Sequence, residues 1–431
     1  MKIHYLLTGI HIFLYVNLFK TIVMRSELQY GSQVLSFEVP DSADLLNIRE
    51  PEYTISKESF YTNFLLRLSA TNQDLSRVGI VISDKTRLCG YNHYLPWLID
   101  LLEKSGTKKE NITFYIAYGT HPRQTDEESV NAYGKIYFKY RFVHHDCSEP
   151  SVMTTLGTTK RGTPMTLRKD FLQSTLLITF GAISHHYFAG FGGGRKLLFP
   201  GLASREAIYH NHSLFLNMKS RTLEPGCQCG MLEGNPVAED LHEIDALLPQ
   251  RLSVHGILDS HGKVCQLHIG SAYSDFLGAC NQHNSYYKSD TQGLYDCVLA
   301  SAGGYPKDIN FIQAHKSVHN AAAFVKDGGI LILLAECRDG IGTNTFLPLF
   351  KAGGWDKVFN KLSKKYEGNG GTALAMMAKT KRIRIHMVTG FDDETCHLMG
   401  AKKTDAKEVN TLISQEKGSV AVIENASMLI K

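Results

Sequence analysis

An α/β fold of two αβ domains with largely parallel sheets is what the sequence predicts, on three observations. The 431 residues are long for one hydrophobic core and suit two of ordinary size. From Arg77 onward, short apolar runs alternate with amphipathic stretches of helical period, the signature of a parallel sheet flanked by helices. A polar stretch, Lys288 to Gln292, then interrupts the alternation, and a second round begins beyond it. The predicted division is 27–287 for the first domain and 293–417 for a second that closes the crevice, with 418–431 a candidate to rejoin the first.

Taken in order, residues 1–26 read as an extension or a misassigned start. Ile10 to Phe19 is apolar and loosely resembles a signal peptide. It is short, broken by His11 and Asn17, and followed by no small-residue cleavage site, whereas Met24 precedes a more ordinary beginning. Tyr30-Gly31-Ser32 leads into an alternating strand to Val39. The first alternation runs Val78–Ser83 (strand), His93–Lys104 (helix), Ile112–Tyr118 (strand), Asp126–Tyr137 (helix), Arg141–His144 (strand) and Thr175–Phe180 (strand). After Pro200-Gly201, Ser204 is suited to cap a helix through Leu216, and a second helix covers Asn235–Leu248. A hairpin about Asp259-Ser260-His261-Gly262 and a helix Ala272–Tyr286 complete the region. The second round reads as strands at Val298–Ala302, Ile330–Leu334, Ile383–Val388 and Ser419–Ile423. Helices are expected at Ile309–Val325, Trp355–Lys365, Thr372–Lys379 and Asp405–Glu416.

Composition narrows the function. Hydrophobic residues are 43%, charged residues 20%, and the formal net charge is only +4, so neither a nucleic-acid footprint nor a disordered chain is indicated. Nine scattered cysteines, odd in number and without paired CxxC spacing, argue against a disulfide framework and a structural zinc site and for a cytoplasmic, reducing setting. Cys227-Gln228-Cys229 has no ligand partners at metal spacing. No stretch is long and apolar enough to suggest a membrane span.

The residues just after parallel strands are where such sheets bind ligands. Here they are Asp84-Lys85-Thr86-Arg87, Gly119-Thr120-His121 and Ser184-His185-His186. The last leads into Gly190, Gly192, Gly193 and Gly194, then Arg195-Lys196, with Asn211-His212 on the next helix. Glycines let backbone approach a planar or phosphorylated ligand, but the run fits neither the Walker A nor the dinucleotide motif. Lys196 is either a solvated charge or, when desolvated, an amine able to bond a cofactor covalently. Any one of His121, His186 and His212 alone more often satisfies a core hydrogen bond than performs chemistry. Two imidazoles flanking a substrate can each take a proton from one stereoisomer and return it to the other.

Together these motifs, with Gly303-Gly304-Tyr305-Pro306, Gln313, Lys316 and Ala335-Glu336-Cys337-Arg338-Asp339-Gly340, resemble the nickel-dependent lactate racemase family of 2-hydroxyacid racemases and epimerases, from about Tyr30 to the carboxyl end. The resemblance implies an active site in the interdomain crevice. It implies a nickel-pincer nucleotide, the Ni(II) complex of pyridinium-3,5-bisthiocarboxylic acid mononucleotide, supplied by cofactor-synthesis enzymes. Lys196 matches the lysine that can join this cofactor, with Asp84, Gly193 and Gly194 beside it, and His212 matches the histidine that ligates nickel. His121 and His186 match the acid/base pair. Arg87, Gln313 and Lys316 match the positions that hold the substrate, a small 2-hydroxy acid.

Two departures bear on the substrate. Ile312 stands where the family carries an aromatic hydroxyl, and His185 replaces a residue that is often proline, so lactate or a bulkier 2-hydroxy acid fits. The alternatives are a nickel-pincer enzyme of another outcome, a dehydrogenase or lyase, and a non-catalytic cofactor-binding protein. The presence of both His121 and His186 weighs against the last.

Overall fold

The computed structural model describes residues 23–71 and 74–431, and the predicted extension lies almost wholly outside them. Two six-stranded sheets organise two αβ domains. In the first, strands run across the sheet in the order Val264–Gly270, Arg251–Leu258, Leu176–Ala182, Val78–Ser83, Ile112–Ala117 and Arg141–His144. All neighbours are parallel except the hairpin Arg251–Leu258 with Val264–Gly270, which forms about the predicted turn. Every residue of Val78–Ser83 is buried, as a central strand covered by helices on both faces requires. Apolar cores line the two faces: one packs Leu95, Leu98 and Leu102 of the helix Tyr91–Lys104 against Ile80, Ile82, Ile116 and Phe180, the other packs Leu197, Phe199 and Ile208 against Val81 and Leu177.

The second sheet is parallel throughout, in the order Lys402–Lys403, Arg384–Val388, Val325–Leu334, Tyr295–Ser301, Val420–Ile423 and Asp44–Leu46. Its membership differs from the expected boundaries at both ends of the chain. The closing strand, Val420–Ile423, pairs with Tyr295–Ser301 in this sheet, while the residues beyond it return to the first domain, where the Ile430 amide donates to the Tyr287 carbonyl at 2.9 Å. Asp44–Leu46 adds an edge to it, and the hairpin Val23–Tyr30 with Gln33–Pro40 lays Leu28, Phe37 and Val39 on Leu299, Ile332 and Val422. The physical reason is the sheet's two-sided apolarity. Tyr295–Ser301 is buried along its whole length apart from Asp296, and among the described residues the hairpin together with the helix Ala406–Gln415 covers that face.

Most predicted elements recur with ends shifted by a few residues. The helix expected at Ile309–Val325 is shorter, Phe311–Ala322, because Asn310 caps it through the Gln313 amide and Val325 already begins the next strand. Ser204 caps Arg205–Ser213 through the Ala207 amide, as its type predicts. The helix Lys57–Thr71 and the hairpin Met153–Thr158 with Pro164–Arg168 were not anticipated. Among the described residues no helix is long and apolar enough to cross a membrane.

Candidate active site

Three neighbouring strands of the first sheet end at one place. Val78–Ser83 lies between Ile112–Ala117 and Leu176–Ala182, so the residues that follow each are brought side by side where the strand order changes direction. Asp84, Arg87, Gly119, Thr120, His121, His186, Gly192, Gly193, Lys196 and His212 line the resulting crevice. Backbone ties hold the loops in register. Gly119 N–H donates to the Gly201 carbonyl at 2.9 Å, and the Lys85 amide donates to Oε1 of the buried Gln124 at 2.8 Å.

Asp84 is 3% exposed and both of its oxygens are engaged. Oδ2 lies 2.7 Å from Nδ1 of His121, while Oδ1 accepts the Thr86 amide at 2.7 Å and its hydroxyl at 2.6 Å. Burial pushes the carboxyl upward, but the His121 and Thr86 contacts outweigh it and leave it below the usual range. An ionised Asp84 fixes Nδ1 of His121 as the donor, so Nε2 carries the lone pair. The sequence reading treats Asp84 as a cofactor ligand only; its pairing with a residue 37 positions away depends on the adjacency of two strands.

His186 sits differently. Its Nδ1 accepts the Ala189 amide at 3.3 Å, and its ring meets Phe188 edge-on with centroids 4.6 Å apart. Burial, followed by Lys196, Arg87, His212 and Lys316, holds its pKa well below the ordinary histidine value. Phe188, 4% exposed, also lies 5.0 Å from the His212 ring and 5.9 Å from Lys196 Nζ. It is the apolar post around which these three polar groups are arranged, and nothing in its spacing announced that role.

Lys196 and His212 make no side-chain hydrogen bond to the described residues. Burial and the charges of Arg87 and Arg195 press the Lys196 amine well below its usual range, and burial with Lys196 lowers His212 to about 3. His212 is therefore neutral at neutral pH, and burial disfavours the charged form of Lys196. His212 is held in place by its neighbour: Asn211 Nδ2 donates at 2.8 Å to the fully buried Asp240, which also takes the Thr163 hydroxyl at 2.7 Å.

The turn that presents Lys196 depends on glycine. Gly193 has φ 75° and ψ −169°, a region only glycine enters readily, and a Cβ there would stand 2.1 Å from the Ala182 carbonyl oxygen. Gly194 is not part of the crevice wall. Its open side faces the Phe276 ring, so it shapes the turn from behind.

From the second domain, Gln313 and Lys316 share one face of the helix Phe311–Ala322, with Lys316 Nζ donating to Gln313 Oε1 at 2.8 Å. Burial and Arg87 lower Lys316 to about 8, and its charge in turn depresses His186, but neither Gln313 nor Lys316 lines the crevice itself. Arg87 is exposed and its guanidinium has no partner among the described residues. Arg87 thus presents an open guanidinium, whereas the Lys316 amine is shared with Gln313.

The comparisons with known proteins agree on one family. The profile of the lactate racemase N-terminal domain matches residues 30–223, and that of the lactate racemase C-terminal domain matches 291–377. A lactate racemase of Thermoanaerobacterium thermosaccharolyticum is 31% identical over 337 residues, covering 75% of this chain and 77% of that one. A lactate racemase of Lactiplantibacillus plantarum is 33% identical over 274 residues, 62% of each chain. The solved lactate racemase apoprotein from T. thermosaccharolyticum superposes with a TM-score of 0.82 at 26% identity, over 94% of this chain and 99% of that one. A Thermotoga maritima protein shares the fold alone, with a TM-score of 0.64 at 15% identity, over 88% of this chain and 99% of that one.

Proposed function

Because this chain belongs to the lactate racemase family and is thereby a racemase, an isomerase, we propose that it inverts the C2 hydroxyl centre of a 2-hydroxy acid, lactate or a related acid, with His121 and His186 as its acid/base pair. The observation that carries this reading is the convergence of two differently held imidazoles, a lysine without a hydrogen-bond partner among the described residues and a neutral histidine on one crevice.

Arg87 and Lys316 would hold the substrate carboxylate, and Gln313 would accept or donate at a second polar group. His121 takes the hydroxyl proton at Nε2, while Asp84 stabilises the positive charge that develops on the ring. His186 serves the mirror-image substrate from its own Nε2. The hydroxyl oxygen loses its proton to one imidazole and regains one from the other, while inversion at C2 itself requires the C2 hydrogen to leave and return on the opposite face, chemistry that the cofactor would supply.

The residues present fit the nickel-pincer nucleotide that the family implies. A buried amine with no partner suits covalent attachment at Lys196, and an unpartnered neutral imidazole at His212 suits a metal ligand. Among the described residues no group of three or more His, Cys, Asp or Glu side chains is placed to hold a metal, so His212 would be one ligand of a nickel otherwise held by the cofactor's sulfurs and ring carbon. Gly193 would admit close backbone approach, and Asp84 Oδ2, which takes one hydrogen bond, has one lone pair left for a ribose hydroxyl. When bound, the cofactor would supply an electron-poor ring able to act as a reversible hydride acceptor, which no side chain provides.

The test is the full chain co-expressed with cofactor-synthesis enzymes and assayed over a series of 2-hydroxy acids by chiral chromatography in deuterium oxide. The expected result is racemisation with the C2 hydrogen retained and nickel bound stoichiometrically. Rapid entry of solvent deuterium at C2 overturns the reading; release of the free 2-oxo acid favours the dehydrogenase alternative.

A further inference from the structure

Behind the turn that presents Lys196 lies a second cavity of about 290 Å³, walled by Arg195, Arg251, Ser253, His255, Tyr273 and Phe276 among others. No residue lines both it and the crevice. The turn is a partition: Lys196 faces one side and its neighbour Arg195 the other.

Arg195 is a charge without a counter-charge. It is 2% exposed, yet its Nε and Nη1 have no hydrogen-bond partner and Nη2 reaches only the Ala238 carbonyl, at 3.4 Å. The guanidinium rests on the Phe276 ring, 4.8 Å from its centroid, with Tyr273 at 5.9 Å. Rings compensate a cation only in part, and a buried guanidinium missing most of its hydrogen bonds is costly. Among the described residues no carboxylate bonds it, and Asp245 acts on it only from a distance. Asp245 is bound by Arg251, whose own Nε is also unpartnered. Asp275 is committed to the Ser271 and Ala272 amides, both at 2.9 Å, and to Arg67 at 3.7 Å. The cavity therefore holds two guanidinium groups against one carboxylate, and burial draws the Arg195 pKa downward.

We propose that this cavity binds a small oxyanion, a carboxylate or a phosphate, with Arg195 as its principal cation and Arg251 as its second. The ligand completes the hydrogen bonds that the fold leaves open and braces the Lys196 turn from the side opposite the crevice. The geometry of a guanidinium fork suits two acceptor oxygens on one centre.

Calorimetric titration of the full chain tests this, with inorganic phosphate in one arm and acetate in the other. An Arg87→Met, Lys316→Met background removes the cations in and beside the crevice that would bind the same anions. Saturable binding in either arm, or in both, supports the site and identifies its class. Arg195→Met should weaken that binding roughly tenfold or more, as loss of a charge-assisted hydrogen bond does. Should Arg195→Met not fold, Ala272→Asp serves instead: the exposed Ala272 lies on the cavity rim at the N-cap of the helix Tyr273–Tyr287, where aspartate is a favoured residue, and its carboxylate would repel the ligand. Absence of saturable binding in both arms, or affinity unchanged by Arg195→Met and Ala272→Asp, overturns the proposal.

Discussion

The two imidazoles of the crevice are held by opposite devices. His121 stands open, its side chain 41% exposed, with a buried carboxylate behind it; His186 is enclosed, with a backbone amide behind it and cations around it. The carboxylate stabilises an added proton and leaves Nε2 of His121 as a lone pair. The amide needs Nδ1 of His186 as acceptor, so the neutral ring presents N–H to the crevice, and the surrounding charges resist a second proton. A catalyst for both hands of a molecule thus has a resting state that is not symmetric: one wall waits to accept a proton, the other to donate a hydrogen bond. His186 must give up its 3.3 Å contact with Ala189 before it can accept.

The sharpest break of this comparison is removal of each ring. His121→Ala and His186→Ala should each lower racemisation in both directions by roughly 10² to 10⁴-fold, the worth of a positioned base, with nickel content unchanged. Loss of nickel instead would make that residue a ligand. Next comes Asp84→Asn, which keeps the shape behind His121 but removes the charge. It should lower kcat by roughly 10- to 100-fold and move the acid limb of kcat/KM to lower pH, whereas a merely structural Asp84 would leave that limb in place. Because the Asp84 carboxyl is held below its usual range, its stabilising contribution is full above its unfolded pKa of about 3.9 and is lost as pH falls through the folded value. Asp84→Asn should therefore flatten the acid end of the stability profile measured by urea unfolding.

The smaller effects compare the two walls' backbones. Gly193→Ala, beneath the His186 wall, must move a carbonyl 2.1 Å away and leave a glycine-only conformation; unfolding should show a loss of about 3 kcal/mol. Gly119→Ala, beneath the His121 wall, has φ 56° but finds its nearest neighbour 3.6 Å off, so only about 1 kcal/mol of backbone strain is expected. Equal losses at the two positions would mean that the Lys196 turn is less constrained than its contacts imply.

What the sequence disclosed follows from how local each feature is. Val78–Ser83 and Ile112–Ala117 are continuous apolar runs of strand length, and the polar residues that end them had to lie at a shared sheet edge. The pairing of Asp84 with His121 was hidden because strand order, not spacing, creates it. Lys57–Thr71 escaped notice because only Phe60, Phe64 and Leu68 are buried in it, a thin stripe amid exposed Leu65 and Leu66. The sheet membership of the chain's two ends was equally illegible. Asp44–Leu46 and Val420–Ile423 find each other across almost the full length of the polypeptide, and no local pattern encodes such a meeting.

That meeting has a consequence for how the protein is made. The edge strand Asp44–Leu46 is translated before the first sheet, and its hydrogen-bonding partner Val420–Ile423 only after it. The apolar face of the leading hairpin must wait through translation of the entire first domain before its own sheet exists. Vectorial synthesis therefore favours completion of the first domain first, and leaves the hairpin's apolar face uncovered until the second sheet forms.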